Sequence, residues 1–197
     1  MRAMIRLAAA MLLLGVLNAA PIMAQNAPPQ GAPPPSENRF SSNELLNAGH
    51  SFFGSVSRGL AQIVEKAISQ WGQPNGYILG EEAAGAFIAG LRYGEGMLYT
   101  KNAGDLKVFW QGPSIGFDAG GEGARTMMLI YNLPNTAAIY ERFGGVDGSA
   151  YFVGGLGMTA LTANNIVLVP IRSGVGLRLG ANIGYLKFTP QATWNPL

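Results

Sequence analysis

The stretch Val175-Gly176-Leu177-Arg178-Leu179-Gly180-Ala181-Asn182-Ile183-Gly184-Tyr185-Leu186-Lys187-Phe188 carries the reading of the fold. Val175, Leu177, Leu179, Ala181, Ile183 and Tyr185 share one face of an extended strand. Gly176, Arg178, Gly180, Asn182 and Gly184 share the other. A period of two is the signature of a strand with one apolar face. Glycine repeated on one face weakens a strand, so it needs a reason. Tight curvature of a closed sheet is one reason, and close approach of a helix or ligand is another.

The same texture extends backwards. Of the 28 glycines, 23 lie between Gly72 and Leu197, with aromatic and β-branched residues between them. Candidate strands are Tyr77–Leu79, Ala86–Tyr93, Gly96–Lys101, Asp105–Gln111, Ser114–Ala119, Thr126–Asn132, Ala150–Gly154, Met158–Thr162, Ile166–Ile171 and Val175–Phe188. Turn signals such as Asn75-Gly76, Asp147-Gly148 and Asn164-Asn165 separate them. Asn135 to Phe143 reads as a short helix stopped by Gly144-Gly145. Many short strands without long intervening helices favour a barrel or sandwich over a parallel α/β sheet. Glycine-driven curvature selects a mainly β architecture, a small Gly-rich antiparallel β-barrel.

Upstream lies the helical part. Ser41 and Glu44 fit a capping box for a short helix to about Asn47, interrupted at Gly49. Phe53, Val56, Leu60, Ile63, Val64, Ala67 and Trp71 then recur at helical spacing until Gly72 and Pro74. This N-terminal amphipathic helix has only Arg58 and Lys66 as cations, whereas membrane-surface helices carry a strongly basic polar face. Its apolar stripe is therefore expected to pack on the barrel.

The first 24 residues read as a secretory signal peptide. Arg2 and Arg6 precede the apolar run Leu7 to Ala20, and Ile22-Met23-Ala24 ends on a small residue. Residues 25–38 form a Pro/Gln-rich linker with Pro28, Pro29, Pro33, Pro34 and Pro35, favouring extended polyproline II. Residues 39–197 are then a single domain, and the expected compartment is the periplasm. After cleavage no apolar stretch long enough for a transmembrane helix remains.

Charge supports that reading. Of 197 residues 12% are charged, against roughly 25% in soluble domains. The formal net charge is +2, yet removing Arg2 and Arg6 leaves 11 of the 13 basic residues against 11 acidic ones. A basic groove for nucleic acid is excluded. The absence of cysteine removes disulfides, thiol nucleophiles and Cys-zinc sites. One histidine, His50, removes multi-His metal sites. Gly155-Leu156-Gly157-Met158-Thr159-Ala160 matches a dinucleotide pattern, but no helix pattern follows and no acidic residue occurs after Asp147. Glu81 and Glu82 are adjacent, so a strand sends them to opposite faces. The expectation is a protein that is not an enzyme, with no catalytic residues, cofactor or metal.

What survives is apolar. In a barrel wider than its filling, aromatic residues line a cavity for an acyl chain, with a cation at the mouth for an anionic head group. The candidate apolar-ligand residues are Trp110, Phe117, Tyr99, Arg92 and Arg178. An outer-membrane barrel fits less well. Arg92, Lys107 and Arg178 fall within candidate strands, and Asn195-Pro196-Leu197 at the C-terminus is not aromatic.

Two resemblances add to this. Gly85 to Gly96 (GAFIAGLRYGEG), Ile139-Tyr140-Glu141-Arg142-Phe143-Gly144-Gly145 and Val153-Gly154-Gly155-Leu156-Gly157, behind a signal and a Pro/Gln tract, resemble the alphaproteobacterial EipA envelope-integrity family. The resemblance covers nearly the whole mature chain. It implies a small soluble periplasmic β-barrel that supports envelope integrity and envelope stress resistance. Trp110, Pro113, Gly116, Phe117 and Gly120 are also similar to the core of the SYLF lipid-binding family, with Gln111 where that family places Ser. The partners implied are a lipid or apolar envelope component, or another envelope protein that the barrel docks as a structural module.

Overall fold

The structure is a computed structural model that describes residues 37–54, 57–84, 91–101, 103–113, 124–173, 184–193 and 195. The signal segment and most of the linker lie outside the described residues, as does the strand expected at Ser114–Ala119.

Helix α1 spans Ser42–Phe53 and α2 spans Ser57–Trp71. Ser41 caps α1 with the expected box. Its Oγ accepts from the Glu44 amide at 3.4 Å, and Glu44 Oε2 accepts from the Ser41 amide at 2.8 Å. The chain does not break at Gly49. A Cβ there would come within 2.5 Å of Leu60 Cδ2, so this glycine permits close approach of the two helices. The break falls at Gly54, whose φ of 76° is left-handed, and Gly72 at φ 78° ends α2 in the expected place.

Ten strands follow: β1 Gly76–Ala84, β2 Leu91–Thr100, β3 Leu106–Pro113, β4 Ala124–Tyr131, β5 Arg142–Gly145, β6 Tyr151–Val153, β7 Leu156–Met158, β8 Leu161–Ala163, β9 Ile166–Ser173 and β10 Tyr185–Thr189. They pair in the order β4-β1-β2-β3-β10-β5-β8-β9, and β9 returns to β4 to close the ring. The fold is thus a closed antiparallel barrel of eight strands, with the β7–β6 hairpin extending from the far end of β9. Closure leaves the barrel itself without free edges.

Alternation sorts the apolar residues into two cores. Inside the barrel lie Ile78, Leu98, Val108, Trp110, Met128, Ile130, Phe143, Leu168, Leu186 and Phe188. Their sequence neighbours Met127, Leu129, Tyr131, Val169 and Ile171 point outward and meet Leu45, Leu60, Ile63, Val64 and Ala67 of the helices. The amphipathic helix stripe is therefore docked on the outer wall over β4 and β9. Each fully buried aliphatic side chain contributes about 1.5–3 kcal/mol.

Four elements differ from the sequence expectation. β2 is continuous through Gly94 and Gly96, because these glycines make room for neighbours rather than a turn. A Cβ on Gly94 would overlap the Trp110 indole. The expected helix at Asn135–Phe143 is a single 3-10 turn, Thr136–Ile139, capped by Asn135. Phe143 then enters the barrel core, and its flanking residues pair with β10 and β8 as β5. The expected strand Met158–Thr162 turns a corner at Thr159 and Ala160, giving β7 and β8. Of the stretch Val175–Phe188, residues 175–183 lie outside the described residues. In β10 the buried face is Leu186 and Phe188. Tyr185 points outward, 4.6 Å under the Arg142 guanidinium. The inward face there continues the one that carries Gly184.

Candidate functional site

Trp110 and Arg92 meet inside the barrel on a residue for which the sequence offered no partner, Glu82. Glu82 is 6% exposed and faces inward from β1. Trp110 Nε1 donates to Glu82 Oε2 at 2.9 Å. Arg172 Nε donates to Oε1 at 3.1 Å and its second nitrogen to Oε2 at 3.3 Å. Arg92 approaches Oε1 at 3.5 Å and also donates from Nε to the Pro113 carbonyl at 2.8 Å. Strand position explains the convergence. Glu82 pairs across β1–β2 with Gly94, and Gly94 pairs with Trp110, so the indole crosses the glycine to reach the carboxylate.

Burial pushes the Glu82 carboxyl up. The Arg172 and Arg92 guanidiniums and the hydrogen bonds from Trp110 and Arg172 outweigh it and hold the group below its ordinary range. Both oxygens already accept donors. A general acid or base needs a pKa near the working pH and an oxygen free for the substrate proton. Glu82 has neither, and its geometry is that of a buried ionic brace.

The remaining candidates do not join it. Tyr99 lies on the outer face, stacked on Tyr77 at 5.0 Å and 24°. Phe117 and Arg178 lie outside the described residues, as do Gly116 and Gly120. The inner apolar positions nearest Trp110 are filled: Trp110 is 1% exposed and its ring sits 5.9 Å from that of Phe188.

A cavity of about 400 Å³ lies instead on the outer face of β1, β2, β3 and β10, under the C-terminal residues Ala192 and Thr193. Its outward-facing lining is Glu81, Ala83, Tyr93, Glu95, Phe109, Gln111 and Thr189, and Glu82, Gly94 and the expected ligand residue Trp110 also border it. Glu81 and Glu95 face each other directly across β1 and β2, a like-charge pair that costs sheet stability. Lys107 relieves Glu95 at 3.2 Å. Gln111 is 1% exposed, and its Nε2 has no hydrogen-bond partner among the described residues. A buried donor left unpaired costs about 1–3 kcal/mol. Sequence reasoning placed Gln111 only as a departure from a motif. The signal for it was the strand period, which puts Gln111, Phe109, Tyr93 and Glu95 on one outer face.

Among the described residues no group of three His, Cys, Asp or Glu side chains is placed to hold a metal ion, and no helix is long and apolar enough to cross a membrane.

Comparison with known proteins agrees with this architecture. No functionally curated protein matches the chain. A crystal structure of a "beta-barrel-like, uncharacterized protein" from Brucella abortus is 60% identical, covers 81% of this chain and 99% of its own, and superposes with a TM-score of 0.76. Residues 38–197 match the model of the family described as envelope integrity protein A. With that match spanning the whole barrel and both helices, the chain belongs to the EipA envelope-integrity family.

Proposed function

We propose that this protein works in the periplasm as a non-enzymatic binding barrel. It holds a component of the cell envelope in the cavity on its outer wall and so supports envelope integrity and stress resistance. The segment Met1–Ala24 serves export and is then removed. The observation that carries the reading is the combination at one place of a cavity of about 400 Å³ and, in its lining, the buried Gln111 Nε2, which has no hydrogen-bond partner among the described residues. Small-molecule sites fall in the range of roughly 300–1,000 Å³ and use a few placed polar groups among apolar walls.

The family membership supports the envelope role, and the ionic brace at Glu82 supports a non-catalytic one. A lipid held inside the barrel, the ligand first inferred from Trp110 and Arg92, draws no support from their places beside Glu82. A second reading is docking of another envelope protein. Phe152 favours it, at 43% exposed on β6, the strand that pairs only with β7 among the described residues.

The test is native mass spectrometry of the protein released by osmotic shock. The reading expects release into the soluble periplasmic fraction and an added non-protein mass that Phe109→Ala removes. Retention in the membrane fraction, or the mass of the bare chain alone, contradicts it. A protein crosslinked through Phe152 supports docking instead.

A further inference from the structure

We infer that the segment following β10, Pro190 to Thr193, is a strap that opens to admit the ligand of the outer-wall cavity and closes over it; this rests on the proposed binding role and names how that site is controlled. The wall beneath is largely self-sufficient. Lys107 holds Glu95 at 3.2 Å and lies 5.0 Å over the Phe109 ring, so neither group waits for a partner. Glu81 and Ala83 are exposed. Gln111 is different. It is 1% exposed, although its ladder neighbours on either side, Tyr93 and Lys187, are only half-buried. Ala192 and Thr193 stand with it around the cavity, so its cover is the segment after β10.

That cover is held weakly. Pro190, Gln191 and Ala192 are exposed, and Thr193 is half-buried. Strand pairing to β3 ends at Thr189. The hydrogen bonds that follow are local. Thr189 Oγ1 donates to the Gln191 carbonyl at 2.8 Å, and the Asn195 amide donates to Thr193 Oγ1 at 3.3 Å. Among the described residues no hydrogen bond ties residues 190–193 to the wall. Few buried contacts and no bond across the gap are the physical marks of a segment that opens below the energy of global unfolding.

Gln111 sets the direction of the equilibrium. With the strap closed and the cavity empty, Nε2 is shut away from water and the described residues offer it no acceptor, which penalises that state. Opening lets water accept from it. A ligand with an acceptor oxygen removes the penalty beneath the closed strap. Ligand and closed strap then favour each other, because the ligand interacts differently with the two states.

The chain has no cysteine, so a single introduced thiol reports on the strap. Gln111→Cys is labelled with a disulfide reagent, and Ala83→Cys, exposed on the same wall, is the reference. The expected labelling is about a hundredfold faster than the unfolded fraction of that variant allows, at a rate unchanged up to about 1 M urea. Exchange of the Gln111 side-chain amide hydrogens in the wild-type protein, read by NMR, is expected to show the same insensitivity to urea. Stopping the chain after Thr189 is expected to bring Gln111→Cys labelling within about threefold of the reference, and Thr193→Gly to speed it without loss of fold. Native mass spectrometry is expected to show that the shortened chain loses, on buffer exchange, an added mass that the full chain keeps. Labelling that follows global unfolding, or that neither variant changes, overturns the strap. If the full chain still carries an added mass in that case, the binding role stands without it. Urea-independent opening in a full chain that carries no added mass overturns the binding role and leaves an opening segment with nothing to retain.

Discussion

The Trp110 indole lies across Gly94 and donates its Nε1 hydrogen to Glu82 at 2.9 Å. One residue thus fills the barrel, satisfies its own buried polar group and helps keep a buried carboxylate ionised. Two guanidiniums, from β2 and β9, complete the same carboxylate. The cluster ties β1 to strands on both sides of it.

Replacing Glu82 with Gln leaves Arg92 and Arg172 buried with no carboxylate between them. Breaking a buried ion pair from one side costs about 3–5 kcal/mol. Urea denaturation at neutral pH is expected to show a loss of that size. A loss below about 1 kcal/mol would show that solvent reaches the cluster and screens it.

Acid removes the same contribution. The folded pKa of Glu82 is below its unfolded value of about 4.3, so its stabilisation is complete above that pH and is lost as pH falls through the folded value. The stability difference between wild type and Glu82→Gln is expected to be constant from pH 7 to about 5 and to shrink as the pH drops below 4. Urea midpoints across that range measure it.

Gly94→Ala places a methyl group into the Trp110 indole, whereas a Cβ on Gly144 meets nothing within 4 Å. Overpacking of this kind costs about 1–3 kcal/mol. The melting temperature is expected to fall in Gly94→Ala, with a changed tryptophan emission, and to stay near wild type in Gly144→Ala.

Gln111→Leu is expected to raise stability. It removes a buried donor that costs about 1–3 kcal/mol and keeps the apolar stem of the side chain. A residue that destabilises the fold is retained where it serves a function. A lower melting temperature in this variant would mean that Gln111 is a structural residue with a partner in the folded chain.

The barrel was legible because strand period and glycine clustering are local properties of the sequence. The helices were legible from their apolar spacing, although the break fell at Gly54 rather than Gly49. Glycine looks the same in sequence whether it relieves left-handed strain, as at Gly54, or clears space for Leu60, as at Gly49. The same ambiguity divided β2 on paper at Gly94. Glu82 was hidden for another reason. Arg172 is 90 residues away, and only barrel closure through β9 and β4 brings it near. The cavity needed tertiary information of the same kind, since Tyr93, Phe109 and Gln111 line it together with Thr193 from the C-terminal segment.

The central claim is that the outer-wall cavity, and not a cavity inside the barrel, carries the envelope role. Complementation of a strain lacking this protein tests it most directly, read as survival in detergent. Gln111→Leu, expressed at the wild-type level and at least as stable, is predicted to leave the cells as sensitive as the deletion strain. Full rescue of survival by that variant would contradict the account.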